Sequence, residues 1–517
     1  MTVLLLAVLA VPAAGAFAAA ALPARFDRAG RIVGTVAAAL TFVASVLLAV
    51  RPGLWLRSGW GVGPAIRPWH EFDVAWVPGL DLRLHLGVDG VSYPLVVLTA
   101  LLTLLCCGYT VWRVPAPSGP APSGPDASAG RGRLLVALLL VIEVGIIGVF
   151  LALDLVLFFV FFEVVLLPMY AVIAGWGGPG RRKAARTFVL YTLFGSVLLL
   201  LGVLTVVTRA GTADLVALTG PGGAGLSRGT QLLAFTLLAL AFAVKSPLWP
   251  LHSWLPAAHT EAPTVGSVIL AGVLLKMGTY GLLRVGVGVA PQGARWAAPV
   301  LGVLAVAAII IGGLVCLAQD ELKRLIAYSS VGHMGFVLLG IATLSATGFQ
   351  AALIGNVAHG IITGLLFFLV GAVKDRTHTG AVAELGGLRE SAPGLAGLLG
   401  FAAIASLGLP GLAGFWGEAF AVVAAVRRGG PLWTVLGVLA ALGAALAAAY
   451  FLRLLRRVTH GAATPTVSRL TPARLAPVEL LSWGPLVVLA LVFGVLPGLV
   501  LSLSADAVRV LALVVSP

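Results

Sequence analysis

Seven ionisable side chains lie inside long apolar runs: Glu143, Glu163, Lys245, Lys276, His333, His359 and Glu418. A charge at the bilayer centre costs about 2.5–3.5 kcal/mol on insertion scales, so each needs a physical reason. Carboxylate, amine and imidazole are the groups whose proton affinity burial and neighbours can move across neutral pH. A series of them through hydrocarbon can hand a proton from group to group, which is relay chemistry. Only five of the 33 basic residues are lysine, yet both bases inside predicted spans are Lys245 and Lys276. Lysine can give up its proton; arginine effectively cannot. Any one of these groups, above all His333 or His359, could equally be a buried structural partner holding helices together. Three acids, two lysines and two histidines together exceed what packing requires, and the set reads as a polar layer within a membrane.

The elements that must position this layer follow from composition. The chain has 517 residues, of which 60% are hydrophobic and only 10% charged, and its mean hydropathy is +1.07. Soluble domains carry about 25% charged residues, so the chain is predicted to be an all-α polytopic membrane protein. The net charge of +14 fits loops facing anionic headgroups better than a nucleic-acid surface. Cys106, Cys107 and Cys316 are too few and too scattered for a disulfide framework or an iron–sulfur cluster.

Stretches of roughly 20 apolar residues, enough to cross the hydrocarbon, predict about fourteen spans. They fall at 2–21, 32–50, 91–112, 134–152, 155–174, 188–208, 231–250, 264–283, 297–318, 325–345, 350–373, 395–426, 432–452 and 477–502. Glu143 and Glu163 then lie in the fourth and fifth spans, roughly 12–14 Å deep at 1.5 Å per residue. Lys245, Lys276, His333, His359 and Glu418 fall in the seventh, eighth, tenth, eleventh and twelfth. No basic residue precedes the first run, so it is expected to be retained rather than cleaved as a signal. Loops after odd-numbered spans hold 20 Lys and Arg, those after even-numbered spans 11. By the positive-inside rule the odd loops are cytoplasmic and both termini face outward.

Two predicted spans are broken beside a charge. Lys245 is followed by Ser246-Pro247 and Pro250, and Leu409-Pro410-Gly411 precedes Glu418 in a run too long for one straight crossing. Two such breaks, five spans apart, suggest inverted five-helix repeats with helices 7 and 12 broken. The expected division is 1–133 (spans 1–3 with an external loop at 51–90 and a Pro/Ser/Gly-rich linker at 114–130), 134–290 (first repeat), 291–460 (second repeat) and 461–517 (span 14 and tail). The glycines at 408, 411, 414 and 417 also fit close helix packing alone. His252 and His259 lack a third ligand nearby, so no metal is expected there. No phosphate loop, dinucleotide fingerprint or nucleophile elbow is present, so neither redox chemistry nor hydrolysis is expected of this chain.

The residues around the polar layer carry a resemblance. They run VFLALDLVLFFVFFEVVLLPMY around Glu163 and KSPLWPLHSWLPAAHTEAPTVGSVILAGVLLKMGTYGLLR around Lys245 and Lys276. DELKRLIAYSSVGHMGF surrounds His333, NVAHGIITGLLFFLVGAVKDRTHT surrounds His359, and LPGLAGFWGE ends at Glu418. From about Glu143 to Glu418 the chain resembles the subunit M (chain 4 type) family of antiporter-like membrane subunits of the proton-pumping NADH:quinone oxidoreductase, respiratory complex I. It departs from the family's usual pattern at Ala257, where aspartate is usual, and at Lys374, where tyrosine is usual.

The resemblance implies that Glu163 pairs with and tunes Lys245, and that Lys276, His333 and His359 form a central relay ending at Glu418. Glu143 would be a second acid. It implies no cofactor on this chain, with flavin, iron–sulfur clusters and quinone in partner subunits. The expected partners are other complex I membrane subunits and, indirectly, the redox arm, in a bacterial inner membrane. The expected function is proton translocation driven by quinone reduction elsewhere in the complex. The alternative is a subunit of a multisubunit cation/proton antiporter, which shares the fold and the polar layer.

Overall fold

A chain crossing hydrocarbon must satisfy its backbone hydrogen bonds internally, and long apolar stretches do so as helices. The computed structural model describes residues 2–50, 66–77, 79, 82–115, 130–220, 222–470 and 475–515. Linker residues 116–129 and loop residues 51–65 lie outside the described residues. Among those described, thirteen helices are long and apolar enough to span a membrane, from Thr2–Ala21 to Pro477–Val495. Thr264–Val287, Leu322–Ala342 and Ala346–Thr377 are almost wholly enclosed by protein, whereas Arg181–Ala210 and Gly430–Thr459 keep broad apolar faces outward. The three enclosed helices carry Lys276, His333 and His359.

Several predicted spans take a different form. The run at 395–426 is two helices, Pro393–Ser406 and Gly414–Arg428. Between them Gly408 and Gly411 adopt φ of +70° and +91°, which only glycine adopts without strain. The fifth run divides into Leu155–Val164 and Leu166–Trp176, because Pro168 cannot donate a helical hydrogen bond to the Val164 carbonyl. The expected tail after the last span is instead a further helix, Gly498–Val514, which follows Pro497. The eighth span runs on to Val287 and includes buried Arg284, ion-paired to Asp89. This corrects two expectations: Arg284 is not an outer-loop charge, and the bases inside the spans are not all lysine.

Two helix starts share a construction. Asp154 caps the Leu155–Val164 helix, accepting from the Val156 and Leu157 N–H groups at 2.8 and 2.9 Å, and its backbone bridges to Asp214. Glu321 caps the Leu322–Ala342 helix, accepting from the Arg324 N–H at 2.6 Å, and its backbone bridges to Ala381.

Within the predicted loop at 51–90, His70–Val77 and Leu82–Val88 form an antiparallel hairpin. Its anchor is His85, buried, with Nε2 at 2.7 Å from Glu71 and Nδ1 at 3.1 Å from Asp214. The Leu153 N–H donates to the His85 carbonyl at 2.9 Å, so one residue ties the hairpin to two helix junctions. Burial opposes charging His85, but the hydrogen bonds to Asp214 and Glu71 prevail and raise its pKa above 6.5. A raised folded-state pKa contributes stability that is complete below the unfolded value and is lost as pH rises through the folded value. Hairpin amide exchange, corrected for its intrinsic pH dependence, should therefore speed up as pH climbs above about 6.5. His85→Gln should abolish that dependence. Flat protection across pH 6–9 in the unsubstituted chain would show that the imidazolium does not hold the hairpin.

Candidate functional site

Four of the seven predicted relay residues come together at the protein's centre. Lys276 lies in a short α-helical segment, Leu275–Gly281, between two π-helical segments, Leu270–Leu274 and Leu282–Val287. Such interruptions are frequent at functional sites. Its Nζ lies 2.6 Å from Nδ1 of His359 and donates to the Ala271 carbonyl at 2.5 Å. Beside it the Thr279 hydroxyl donates to Asn356 Oδ1 at 3.0 Å, fixing the two helices against each other one turn before His359. The His359 and His333 rings meet edge to face, 5.9 Å between centroids. Nδ1 of His333 lies 2.8 Å from Oε1 of Glu418, and its Nε2 lies 2.9 Å from the Ser406 hydroxyl.

The broken helix makes the last contacts possible. Ser406 ends one half and Glu418 lies just over a turn into the other, so both reach the same imidazole. Gly417 allows the second half to approach closely: a Cβ there would lie 2.6 Å from Cα of Gly355. Gly408 leaves room for the carboxylate, since a Cβ would lie 2.7 Å from Glu418 Oε2. A cavity of about 30 Å³ is lined by His333, His359, Thr363, Ser406 and Glu418 among others. The polar groups of His333, His359, Thr363, Ser406 and Glu418 on its walls suit it to one or two waters.

The first half is arranged differently. Lys245 is the last residue of the Arg228–Lys245 helix, stopped by Ser246-Pro247, and the negative end of a helix favours a cation. Its ammonium stands 4.8 Å from the centroid of the Phe162 ring, a cation–π distance. Among the described residues no Lys245–Glu163 ion pair forms within 4.0 Å. Phe162 holds the position expected for its neighbour Glu163, whose Oε1 is buried and without a hydrogen-bond partner among the described residues. Glu143 is wholly buried, and among the described residues neither of its oxygens has a hydrogen-bond partner.

Some polar groups escaped the sequence reading. Ser406 carries no charge to mark it. Asp89 and Arg284 sit at predicted span edges, and only the packing shows both to be buried. Lys323 precedes a predicted span yet is buried, donating to the Ala262 carbonyl at 2.9 Å. Glu479, fully buried, pairs with Arg376 at 2.7 Å and Arg113 at 3.4 Å; a lone acid at the start of an apolar run was its available signal. His252 meets Tyr328 edge-on and His259 stacks on Phe367 at 4.5 Å. Among the described residues no three His, Cys, Asp or Glu side chains converge on a metal position.

Residues 152–443 match the family described as NADH:quinone oxidoreductase/Mrp antiporter, TM. Over 518 residues the chain is 39% identical to NADH-quinone oxidoreductase subunit M of Rhodobacter capsulatus, covering 97% of this chain and 93% of that one. It is 41% identical over 394 residues to NAD(P)H-quinone oxidoreductase chain 4 1 of Synechococcus sp. (strain JA-3-3Ab), 76% of this chain and 72% of that one. Its fold resembles a chain of respiratory complex I from Thermus thermophilus with bound NADH: TM-score 0.84, 30% identity, 99% and 100% coverage. It also resembles a chain of the Mrp complex from Dietzia sp. DQ12-45-1b: TM-score 0.78, 26% identity, 97% of this chain and 52% of that one.

Proposed function

This chain belongs to the subunit M/chain 4 family of NADH:quinone oxidoreductase membrane subunits, and on that premise we propose that the Lys276–His359–His333–Glu418 line is its proton path. It is a multi-pass, proton-translocating subunit of that oxidoreductase. The observation that carries the proposed path is the succession of contacts at 2.6, 5.9 and 2.8 Å through the most enclosed helices. Lys276 gives a proton to His359, His333 takes it up, and Glu418 releases it. Each group is of a type that can gain and lose a proton near neutral pH when buried. Lys245, Glu163 and Glu143 form a second station in the first half. There the Phe162 ring faces the amine in place of a salt bridge, while Glu163 acts on it through space.

The paired helix starts support the repeat division 134–290 and 291–460. In each half the junction between the first two spans caps the next helix and bridges to the junction between the third and fourth. The loop-charge bias puts these junctions on opposite membrane faces, as inversion requires. The same bias supports both termini facing outward, and membership of the family supports a bacterial inner membrane as the location. NADH, flavin, iron–sulfur clusters and quinone belong to partner subunits; the neighbours of this chain are other membrane subunits. The Mrp likeness supports the antiporter alternative only at the level of a shared family.

Copurification separates the two. A tagged chain extracted in mild detergent should bring flavin, cluster signals and NADH-driven quinone reduction, and vesicles should take up protons on NADH addition. Purely membrane partners, with sodium-driven proton exchange and no NADH oxidation, would transfer the chain to the antiporters.

A further inference from the structure

Both nitrogens of His333 are already engaged, Nδ1 by Glu418 and Nε2 by Ser406 at 2.9 Å. His359 lies 5.9 Å away between ring centroids. Its Nδ1 is taken by Lys276, and its Nε2 is buried without a hydrogen-bond partner among the described residues. His359, His333 and Ser406 all line the cavity of about 30 Å³. A proton leaving His359 Nε2 therefore enters a water in that cavity, and the face of His333 that it meets carries the Ser406 hydroxyl. A hydroxyl is both donor and acceptor, so it can accept one proton while releasing another.

We propose that Ser406 is a proton-relay residue, its hydroxyl carrying the proton from the cavity water to Nε2 of His333. The inference rests on the reading of Lys276–Glu418 as the proton path and supplies its missing link. In the step, His359 Nε2–H protonates the water and the water passes a proton to Ser406 Oγ. The hydroxyl's own hydrogen moves to His333 Nε2, and Nδ1–H is released to Glu418 Oε1. One proton enters at His359 and one arrives on Glu418. Water and serine have exchanged hydrogens; His359, protonated at Nδ1 by Lys276, is left as its Nδ1–H tautomer and His333 as its Nε2–H tautomer. Waters of the same cavity, which His333, His359 and Glu418 all line, return both rings to their starting tautomers. The break in the helix has a defined use here: it ends the first half at Ser406, whose hydroxyl meets His333 Nε2 at the cavity wall.

The test uses the whole complex in sealed vesicles, with NADH-driven proton uptake measured beside assembly on a native gel. Ser406→Thr keeps the hydroxyl; Ser406→Val has nearly the same shape without it; Ser406→Ala removes it without adding bulk. Threonine is expected to retain most uptake, while valine and alanine lose it about a hundredfold or more, within the range of positioned proton-transfer groups. A purely steric contact would not separate threonine from valine, and a hydrogen bond that only orients His333 would slow uptake without the loss expected when the proton has no carrier. If the β-branched variants fail to assemble, alanine alone decides. Assembled Ser406→Ala or Ser406→Val pumping like the unsubstituted complex would overturn the role of Ser406. Lys276→Met, measured alongside, keeps the two readings apart. If it abolishes uptake while the serine variants pump normally, the path stands without Ser406; if it too pumps normally, the path itself is misplaced.

Discussion

Glu418→Gln leaves the complex assembled but removes most NADH-driven proton uptake and the quinone reduction coupled to it. Glutamine has the same shape, and its amide oxygen can accept from His333 Nδ1 as the carboxylate does at 2.8 Å. Packing against Gly408 and within the Gly414–Arg428 helix is thus preserved, and a scaffold role would survive with a net loss of order 1 kcal/mol or less. What glutamine cannot do is hold a proton. Lifting a charge against 100 mV costs only about 2.3 kcal/mol, so the membrane potential is not what stops the variant. Transfer stops because the last acceptor is gone. Glu418→Asp keeps an ionisable carboxyl on a shorter arm near His333 Nδ1, so it should pump at a reduced but measurable rate. Native-gel assembly beside proton uptake decides the matter. Assembled Glu418→Gln with normal uptake would assign the residue to structure.

Charge buried in apolar sequence is costly enough to be visible without a structure, and for that reason Lys276, His333, His359 and Glu418 were legible from the chain alone. The breaks beside Lys245 and Glu418 were legible as well, because proline physically ends a helix. Contact between charges was not. Glu163 and Lys245 were expected to pair from family resemblance, yet the amine stands over Phe162. Nothing in one sequence says which face of a helix a side chain takes when the whole helix is apolar. The second half reverses the chemistry of the first: its acid, Glu418, is on the broken helix and its base, His333, on the partner helix, in direct contact. Neutral participants such as Ser406 leave no mark in composition. Arg284 was misplaced for a related reason: hydropathy ends a span at the first charge, whereas pairing with Asp89 lets the buried helix continue.

Lys276→Met should silence pumping as completely as any substitution in the chain, and Lys276→Arg should do so too. Lys276 is fully buried, and its ammonium holds His359 Nδ1 at 2.6 Å and the Ala271 carbonyl at 2.5 Å. Methionine is unbranched and adaptable, so it can fill the same channel between helices without a polar head. The proton carrier at the entrance to the His359–His333 pair is then absent. Arginine makes the sharper comparison. It keeps the positive charge and can still donate hydrogen bonds, but it cannot release a proton at any working pH. If Lys276 served only as a fixed charge organising His359 and Glu418, arginine would sustain uptake. If it works by exchanging a proton with His359, arginine fails although the charge is retained. NADH-driven proton uptake by vesicles holding assembled Lys276→Arg complex reads this directly, with quinone reduction after uncoupler addition as the control for the redox arm. Uptake at the unsubstituted rate would leave the lysine's charge essential and its proton idle. Loss in both variants, with assembly intact, makes the leaving proton itself the function of the residue.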